Sequence, residues 1–368
     1  MKNITFPMQI KLLSYLHIGS GEKLDPTDYV IKGGNVYYLN KLECIRQFLK
    51  KDNNDFQHIM QEANQNKIAL YFYDHFKPAD NKLWTSFYKT DKQIEIAYLE
   101  NLKKENNQNL IAQFIRDPLN DIPYLPGSSI KGSFRTAIVA ALKQRNSLDK
   151  IKDDGKLQAY LLNYFNEQRR KPDITNDPFK YLKFADVPLS LDCLTLKVTE
   201  TKKMGIKASL PHYSGRGLPT PPKQNLQSKD NKTGIPETTE VIDYHNASVY
   251  EAKLTVTDSI FNDKKLEQLT GKTSDWKWLA NLLKSVNTFY QTKLNGEKEF
   301  FQSLNKGSFI DNLEQEFSKL QEGECIIRLG KGAGRRFLTY LDNRIKDPST
   351  RKVIANEPLG WCKISFTK

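Results

Sequence analysis

Alternating apolar and polar residues open the chain and predict a β-strand. The apolar positions of this pattern are Ile4, Phe6, Met8, Ile10 and Leu12. The alternation continues less regularly as far as Ile18, where the sequence Gly-Ser-Gly at residues 19–21 interrupts it. We therefore expect one strand from Ile4 to Ile18, followed by a loop that contains glycine.

Further along, the patterns predict a hairpin and two helical insertions. Short apolar runs on either side of Gly-Gly-Asn at residues 33–35 predict a β-hairpin over residues 29–39. From about residue 42 to 115 the apolar residues take up helical spacing, and we expect an insertion there that carries little chemistry. A second helical insertion is predicted over about 263–321, after an alternating strand at residues 247–257.

The segment at residues 122–145, IPYLPGSSIKGSFRTAIVAALKQR, predicts a helix with a distinct beginning. Proline and glycine at positions 126 and 127 break the backbone, and Ser128 or Ser129 can then cap the helix. The apolar residues recur every four positions along one face, at Ile130, Phe134, Ile138 and Leu142. The other face is basic, and no acidic residue occurs between positions 127 and 145.

This basic helix start favours the binding of an anion. The first turn of a helix presents free backbone N–H groups and a partial positive charge, and Lys131 and Arg135 lie about one turn apart next to it. Phosphate fits such a site best, with Ser128 and Ser129 at the cap. An ordinary amphipathic helix with a solvated basic face explains the same pattern equally well.

Residues 201–236 form a basic segment that is rich in proline and glycine. Seven Lys or Arg residues, among them Arg216, occur here with one acidic residue, Asp230. The proline and glycine content excludes a long helix, and the length exceeds that of an ordinary connection, so we expect this loop to be either disordered or ordered by a partner. Apolar and aromatic residues between the charges are typical of a segment that lies along single-stranded nucleic acid. A plain solvated loop is the alternative.

A glycine-rich sequence near the C-terminus provides a third basic element. Alternating glycines at Gly330, Gly332 and Gly334 let the backbone approach a ligand closely. The positive charges of this element come from Lys331, Arg335 and Arg336. The sequence is not a Walker loop, because no Gly-Lys-Ser/Thr follows, and it lacks the context of a dinucleotide-binding helix.

Composition narrows the choice of partner and compartment. The 368 residues carry a formal net charge of +13, much of it in the basic helix and the basic loop, which favours a polyanion. No apolar run approaches the roughly 20 residues of a membrane span. The N-terminus also lacks the apolar core of a signal peptide, so we expect a cytoplasmic protein without membrane contact. The four cysteines and five histidines show no metal-ligand spacing, so no metal and no cofactor is expected.

Several motifs occur in an order that resembles the RAMP superfamily of CRISPR proteins. They are HIGSG at residues 17–21, YLPGSSIKGSFRTAI at 124–138, RLGKGAGRR at 328–336 and PLGW at 358–361. The long helical insertion before PGSSIKG, together with the C-terminal motifs, is most similar to the fifth subunit of the type III-A (Csm) effector complex. The resemblance covers nearly the whole chain.

The resemblance implies two ferredoxin-like (RRM-like) βαββαβ modules. Together with the patterns above, we expect an α+β fold of two such modules with helical insertions and a basic loop. We assign residues 1–200 to an N-terminal module, with its helical insertion at about 42–115. Residues 201–240 are the basic loop. Residues 241–368 form a C-terminal module that contains the insertion at about 263–321 and the glycine-rich loop.

The resemblance also implies a function, which is to hold a guide RNA by its backbone. Such a subunit caps the 3′ end of the CRISPR RNA beside the repeated backbone subunit and supports RNA maturation and complex assembly in antiviral defence. Recruitment of host nucleases is a further expectation. With Arg216, the expected RNA-binding residues are Gly19, Ser20, Ser128, Ser129, Lys131, Arg135, Gly330, Lys331, Gly332, Gly334, Arg335 and Arg336.

We expect no catalytic residue, although two enzymatic alternatives remain. In the repeated backbone subunit an Asp after the first strand cuts target RNA, but Asp25 and Asp28 lie in LDPTDYV, where a turn role fits them better. A metal-independent endonuclease of pre-CRISPR RNA would use His17, Tyr15 or Lys331 as acid or base. A third alternative, a single-strand RNA adaptor outside CRISPR defence, lacks its RNP-like signature.

Overall fold

A computed structural model describes residues 1–51, 53–104, 109–146, 153–203, 236–246, 248–303, 307–331 and 350–368. Its strands are β1 (Asn3–Leu12), β2 (Gly19–Leu24), β3 (Tyr29–Lys32), β4 (Asn35–Leu39), β5 (Trp84–Lys89), β6 (Ile111–Phe114), β7 (Tyr124–Leu125), β8 (Phe165–Asn166), β9 (Lys171–Pro172), β10 (Leu182–Phe184), β11 (Val187–Pro188), β12 (Leu194–Lys203), β13 (Glu237–Ile242), β14 (Val249–Thr257), β15 (Glu324–Arg328), β16 (Thr350–Ile354), β17 (Glu357–Pro358) and β18 (Trp361–Phe366). Its α-helices are α1 (Lys41–Lys51), α2 (Asn53–Gln61), α3 (Gln65–His75), α4 (Lys92–Leu102), α5 (Gly127–Arg145), α6 (Asp154–Leu161), α7 (Lys264–Thr270), α8 (Asp275–Ser303) and α9 (Ser308–Ser318).

An antiparallel five-stranded sheet in the order β10-β14-β1-β18-β15 contains both ends of the chain. The alternation predicted for β1 is confirmed, since Phe6, Met8, Ile10 and Leu12 are buried and the residues between them are exposed. Helices α5 and α8 pack against this sheet and against each other. The ring of Phe134 on α5, for example, lies 4.9 Å from that of Phe184 on β10.

A second sheet of six strands has the order β17-β16-β12-β13-β6-β2. Only its β13–β6 pair is parallel, and β2 forms one edge. A smaller sheet of β3, β4 and β5 includes the predicted hairpin, in which Lys32 pairs with Asn35 across the Gly-Gly turn. The buried residues of the five-stranded and six-stranded sheets belong largely to one hydrophobic core.

Each of the two larger sheets combines strands from both sides of residues 201–240. The five-stranded sheet takes β1 and β10 from the first segment and its other strands from the second. The six-stranded sheet does the same with β2, β6 and β12. The segments 1–200 and 241–368 are therefore interleaved, because strand pairing joins residues as distant as Met8 and Phe366.

The predicted single strand from Ile4 to Ile18 is wrong beyond Leu12. Residues 13–18 instead carry the chain from one sheet to the other. The backbone N–H groups of Leu13 and Ser14 donate to the carbonyl of Trp361 in the five-stranded sheet, at 2.8 and 3.2 Å. Leu16 then bridges to Ile242 of the six-stranded sheet. Residues 14–18 are all buried, including the polar Ser14 and His17, so burial no longer alternates along this stretch.

The predicted helical insertions are present, with two strands that the spacing did not indicate. Residues 42–115 contain α1 to α4, but also β5 and β6. Residues 263–321 contain α7, α8 and α9, and Trp278 of α8 is fully buried in the core. Among the helices that the structure describes, none combines the length and apolarity needed to cross a membrane.

Two predicted basic elements lie mostly outside the described residues. Arg216 belongs to the undescribed range 204–235. Gly332, Gly334, Arg335 and Arg336 belong to the undescribed range 332–349.

Candidate nucleic-acid interface

A groove with a volume of about 380 Å³ lies beside the exposed edge strand β2. Its lining residues are His17, Ile18, Gly19, Gly21, Glu22, Lys23, Ala112, Gln113, Glu237, Gly330 and Lys331. We call it the β2 groove. It brings together predicted residues from two distant motifs, HIGSG and RLGKGAG, which the sequence separates by more than 300 positions.

Gly330 closes one side of the β2 groove against the protein's own backbone. Its φ of +70° is in the left-handed region, and a Cβ at this position would lie 2.1 Å from the carbonyl oxygen of His17. The next N–H, that of Lys331, donates to the same carbonyl at 2.9 Å. From the sequence, Gly330 was expected to let the backbone approach a ligand. In the structure, Gly330 instead lies close to the backbone carbonyl of His17.

Three lysines converge on one carboxylate in the β2 groove. Glu237, at the start of β13, accepts hydrogen bonds from the ammonium groups of Lys331 at 2.7 Å and Lys352 at 3.2 Å, and forms an ion pair with Lys23 at 3.1 Å. Burial raises the pKa of Glu237, but the hydrogen bonds from the three lysines outweigh it and lower the pKa to about 2. The cluster therefore keeps a positive excess at neutral pH, and its lysines remain a third to a half exposed.

His17 forms the buried wall of the β2 groove. The Nδ1 atom of its ring lies 2.7 Å from the carbonyl oxygen of Glu240, and the residue is only 1% exposed. Burial lowers the pKa of His17, and the nearby charge of Lys331 acts in the same direction. The ring is therefore neutral at pH 7.

A buried carboxylate, Glu240, holds the strands behind the groove. It accepts hydrogen bonds from the hydroxyls of Tyr38 and Tyr88, from the backbone N–H of Phe114 at 2.8 Å and from the guanidinium of Arg116 at 3.0 Å. These donors come from β4, β5 and β6 and from the residues just after β6. No local sequence pattern indicates this network, because its members are up to 202 positions apart.

A second buried carboxylate, Glu297 on α8, pairs with two arginines. Its oxygens lie 2.6 Å from Arg351 on β16 and 3.4 Å from Arg328 on β15, and all three side chains are at most 3% exposed. The two arginines flank the undescribed residues 332–349. Glu297 therefore joins β15 and β16, the strands on either side of residues 332–349, to α8.

The predicted serine cap of α5 is wrong. Pro126 occupies the N-cap position, and Ser128 and Ser129 already lie within the helix. The first N–H, that of Gly127, donates at 2.7 Å to the carboxylate of Asp186. An acidic side chain from another part of the chain therefore occupies part of the positive helix end that the sequence assigned to phosphate.

The two basic residues of the α5 start have different environments. The guanidinium of Arg135 donates to Asp177 at 2.7 Å, to Gln158 at 2.9 Å and to Tyr164 at 3.0 Å. Its N–H groups are therefore used in hydrogen bonds within the protein. Lys131 is half-buried and has no ion pair among the described residues, and burial lowers its pKa. None of the predicted α5 residues lines the β2 groove.

Ser20 and the catalytic candidates are also placed by the structure. Ser20 lies on β2, where its hydroxyl accepts from the N–H of Glu22 at 3.1 Å. The Asp28 carboxylate accepts from the N–H of Asp25 at 2.6 Å and pairs with a lysine, which is a turn contact. Tyr15 packs against Tyr244, with ring centres 5.2 Å apart, away from the groove lining.

His17 and Lys331 are the catalytic candidates that share the β2 groove. In the described part of the chain, no group of three or more His, Cys, Asp or Glu residues is arranged to hold a metal ion. The four cysteines are free thiols.

The chain is similar to known proteins in sequence and in fold. The RAMP superfamily matches residues 9–337. The chain is 22% identical to the CRISPR system Cms protein Csm5 of Methanocaldococcus jannaschii, over 100% of this chain and 90% of that protein. It is 24% identical to the protein of the same name from Streptococcus thermophilus, over 50% of this chain and 51% of that protein.

Two solved structures share the fold. One is a chain of a Csm–crRNA–target RNA ternary complex of a type III-A CRISPR-Cas system, with a TM-score of 0.65, 18% identity and coverage of 98% of this chain and 100% of that chain. The other is Csm5 of T. onnurineus, with a TM-score of 0.57, 18% identity and coverage of 96% and 99%. The resemblance predicted from the motifs is thus confirmed, and the chain belongs to the RAMP superfamily.

Proposed function

We propose that this chain is an RNA-binding subunit of a type III-A CRISPR (Csm) effector complex, and that the β2 groove holds the RNA backbone. The observation that carries the proposal is the convergence of Lys23, Lys331 and Lys352 on Glu237, at a groove bordered by an exposed strand edge and by Gly330. The relatives named Csm5 and the solved Csm–crRNA complex with the same fold support it.

The charges of the β2 groove suit a phosphate better than a neutral ligand. Three ammonium groups share one carboxylate, so each lysine retains donors that Glu237 does not use. A phosphate that enters the groove finds positive charge already concentrated at neutral pH. Because Glu297 fixes the strands on either side of residues 332–349, Lys331 is held by a rigid frame.

Within the complex, we propose a non-catalytic role. The subunit caps the 3′ end of the CRISPR RNA next to the repeated backbone subunit, supports RNA maturation and assembly, and provides a surface for host nucleases in the cytoplasm. The turn contact of Asp28 and the packing of Tyr15 support a role without catalysis, because both side chains serve the fold.

We also propose that the fold contains two ferredoxin-like modules, one in each large sheet. The strand order β18-β1-β14-β10 supports the first module, because α5 lies between β1 and β10 in the chain and α8 lies between β14 and β18. The six-stranded sheet is assigned to the second module, and the predicted basic loop falls between its neighbouring strands β12 and β13.

Co-expression with the other subunits of the complex tests the proposed function. We expect the purified complex to contain CRISPR repeat–spacer RNA, and we expect the Lys23→Ala/Lys331→Ala variant to contain less of it or RNA with altered 3′ ends. A complex that assembles with unchanged RNA content and unchanged 3′ ends contradicts the proposal.

The second candidate function is a metal-independent endonuclease, favoured by the presence of His17 and Lys331 in one groove. Its test is incubation of the purified chain with CRISPR repeat RNA in EDTA. Cleavage that disappears in Lys331→Ala supports the endonuclease, whereas intact RNA supports the binding role.

A further inference from the structure

We propose that His17 recognises a ribose 2′-hydroxyl, so that the β2 groove distinguishes RNA from DNA at one nucleotide. The inference rests on the proposed function, since it requires that RNA enters this groove. It adds a specificity-determining residue that positive charge alone does not supply, because lysines bind the phosphates of both nucleic acids equally well.

The hydrogen-bond partner of His17 fixes which ring nitrogen is free. The carbonyl oxygen of Glu240, 2.7 Å from Nδ1, can only accept a hydrogen bond, so Nδ1 carries the hydrogen. The ring is neutral because burial lowers the pKa of His17. Nε2 is therefore an acceptor with a lone pair, and it has no hydrogen-bond partner among the described residues.

Glycine at position 19 keeps this acceptor open. A Cβ on Gly19 would lie 2.8 Å from Nε2 of His17, closer to that atom than to any other atom around it. Any side chain at residue 19 would therefore press against Nε2 and cover it. Both residues line the β2 groove, which places the imidazole ring beside the space that a nucleic acid would enter.

The chemistry of the groove then identifies the ligand group. Lys23 and Lys331 provide donors for phosphate oxygens. Nε2 needs a donor, and an ionised phosphodiester has none. A ribose 2′-hydroxyl is the donor nearest to a phosphate in an RNA chain, and DNA lacks it. A base amino group is the competing source of a donor.

Binding of three matched single strands to the full-length chain tests the proposal. Oligouridine, oligodeoxyuridine and 2′-fluoro-oligouridine are labelled and titrated by fluorescence anisotropy at one salt concentration. Uracil has no amino group, and the fluoro strand retains an RNA-like sugar while it lacks the donor. We expect oligouridine to bind roughly three- to tenfold more tightly than both other strands, the effect of one neutral hydrogen bond.

Two variants separate recognition from folding. In His17→Ala and in Gly19→Ala, the three strands should bind with equal affinity, and Gly19→Ala keeps the histidine and its bond to Glu240. Equal binding of the three strands to the unaltered chain, with salt-dependent affinity, overturns the role of His17 but leaves the proposed function intact. Failure of the chain to bind any strand overturns the proposed function itself.

Discussion

The guanidinium of Arg135 donates a hydrogen bond to the carboxylate of Asp177 across 2.7 Å. This ion pair joins α5 to the short helical turn at Pro178–Tyr181, and two further donors of the same side chain reach Gln158 and Tyr164. The arginine that the motif assigned to phosphate therefore holds three parts of the fold together, whereas Lys131, one turn away, has no ion pair among the described residues.

Arg135→Ala is expected to destabilise the protein. The change removes three charge-assisted hydrogen bonds and leaves Asp177 without its partner, so the free energy of unfolding should fall by roughly 2–3 kcal/mol. Urea denaturation measures it. Lys131→Ala is the matched control, with an expected change within about 0.5 kcal/mol. Equal stability of the two variants contradicts the structural role of Arg135.

Gly330→Ala should be destabilising because the backbone of the groove leaves no room for a methyl group. The residue has a φ of +70°, and the new Cβ would lie 2.1 Å from a carbonyl oxygen. We expect a loss of about 2 kcal/mol or more together with weaker RNA binding. Gly132→Ala is the control, because a Cβ at that helical position meets nothing within 4 Å and should stabilise by about 0.5–1 kcal/mol.

Glu297→Gln should reveal the cost of removing the carboxylate that two buried arginines share. Because Arg328 and Arg351 remain enclosed, the free energy of unfolding should fall by about 3 kcal/mol or more. Thermal unfolding and urea denaturation measure the effect. Glu299→Gln, on the exposed side of the same helix, should change stability by less than about 0.5 kcal/mol. If the Glu297 variant is as stable as the Glu299 variant, the ion pairs of Glu297 with Arg328 and Arg351 do not stabilise the fold as proposed.

Glu237→Gln should strengthen RNA binding, because it removes the one carboxylate that competes for the three lysines. Roughly fivefold tighter binding is expected, from about 1 kcal/mol of repulsion near the surface. Glu22→Gln, in the same groove but without a lysine partner among the described residues, is the control and should have the smaller effect.

The lowered pKa of Glu237 predicts that the free energy of unfolding depends on pH. Its pKa is lowered from 4.5 to about 2 in the folded chain, so its contribution is fully present above the unfolded value of 4.5 and is lost as the pH falls towards 2. The stability difference between the unaltered chain and Glu237→Gln should therefore shrink between pH 5 and pH 3, roughly. If the stability difference between the two proteins stays constant over this pH range, it does not arise from the interaction of Glu237 with the three lysines.

Local patterns allowed several elements of the fold to be predicted from the sequence. The alternation of Phe6 to Leu12 and the four-residue spacing from Ile130 to Leu142 each report which face of one element is buried. The Gly-Gly hairpin follows from turn chemistry within four residues. The motif order also assigned Gly19 and Lys331 to one function, and both line one groove.

The remaining features depend on contacts between distant residues. Asp186 occupies the start of α5 from 59 positions away, and Asp177 reaches Arg135 from 42 positions away. Glu240 and Glu297 are single acidic residues in ordinary sequence contexts, and only the fold surrounds them with donors. A pattern along the chain indicates periodicity and which face is buried. It does not indicate which distant side chain forms an ion pair or hydrogen bond with a given charged group.

The salt dependence of single-strand RNA binding tests the central claim most directly. Affinities of the unaltered chain and of Lys23→Ala/Lys331→Ala are measured over a range of salt concentrations, with Lys264→Ala/Lys277→Ala as a control of equal charge on another surface. If the groove lysines contact two phosphates, the slope of log K against log salt should flatten by roughly 1.4 in the groove variant and remain unchanged in the control. An unchanged slope in the groove variant would contradict the β2 groove as the RNA-binding site.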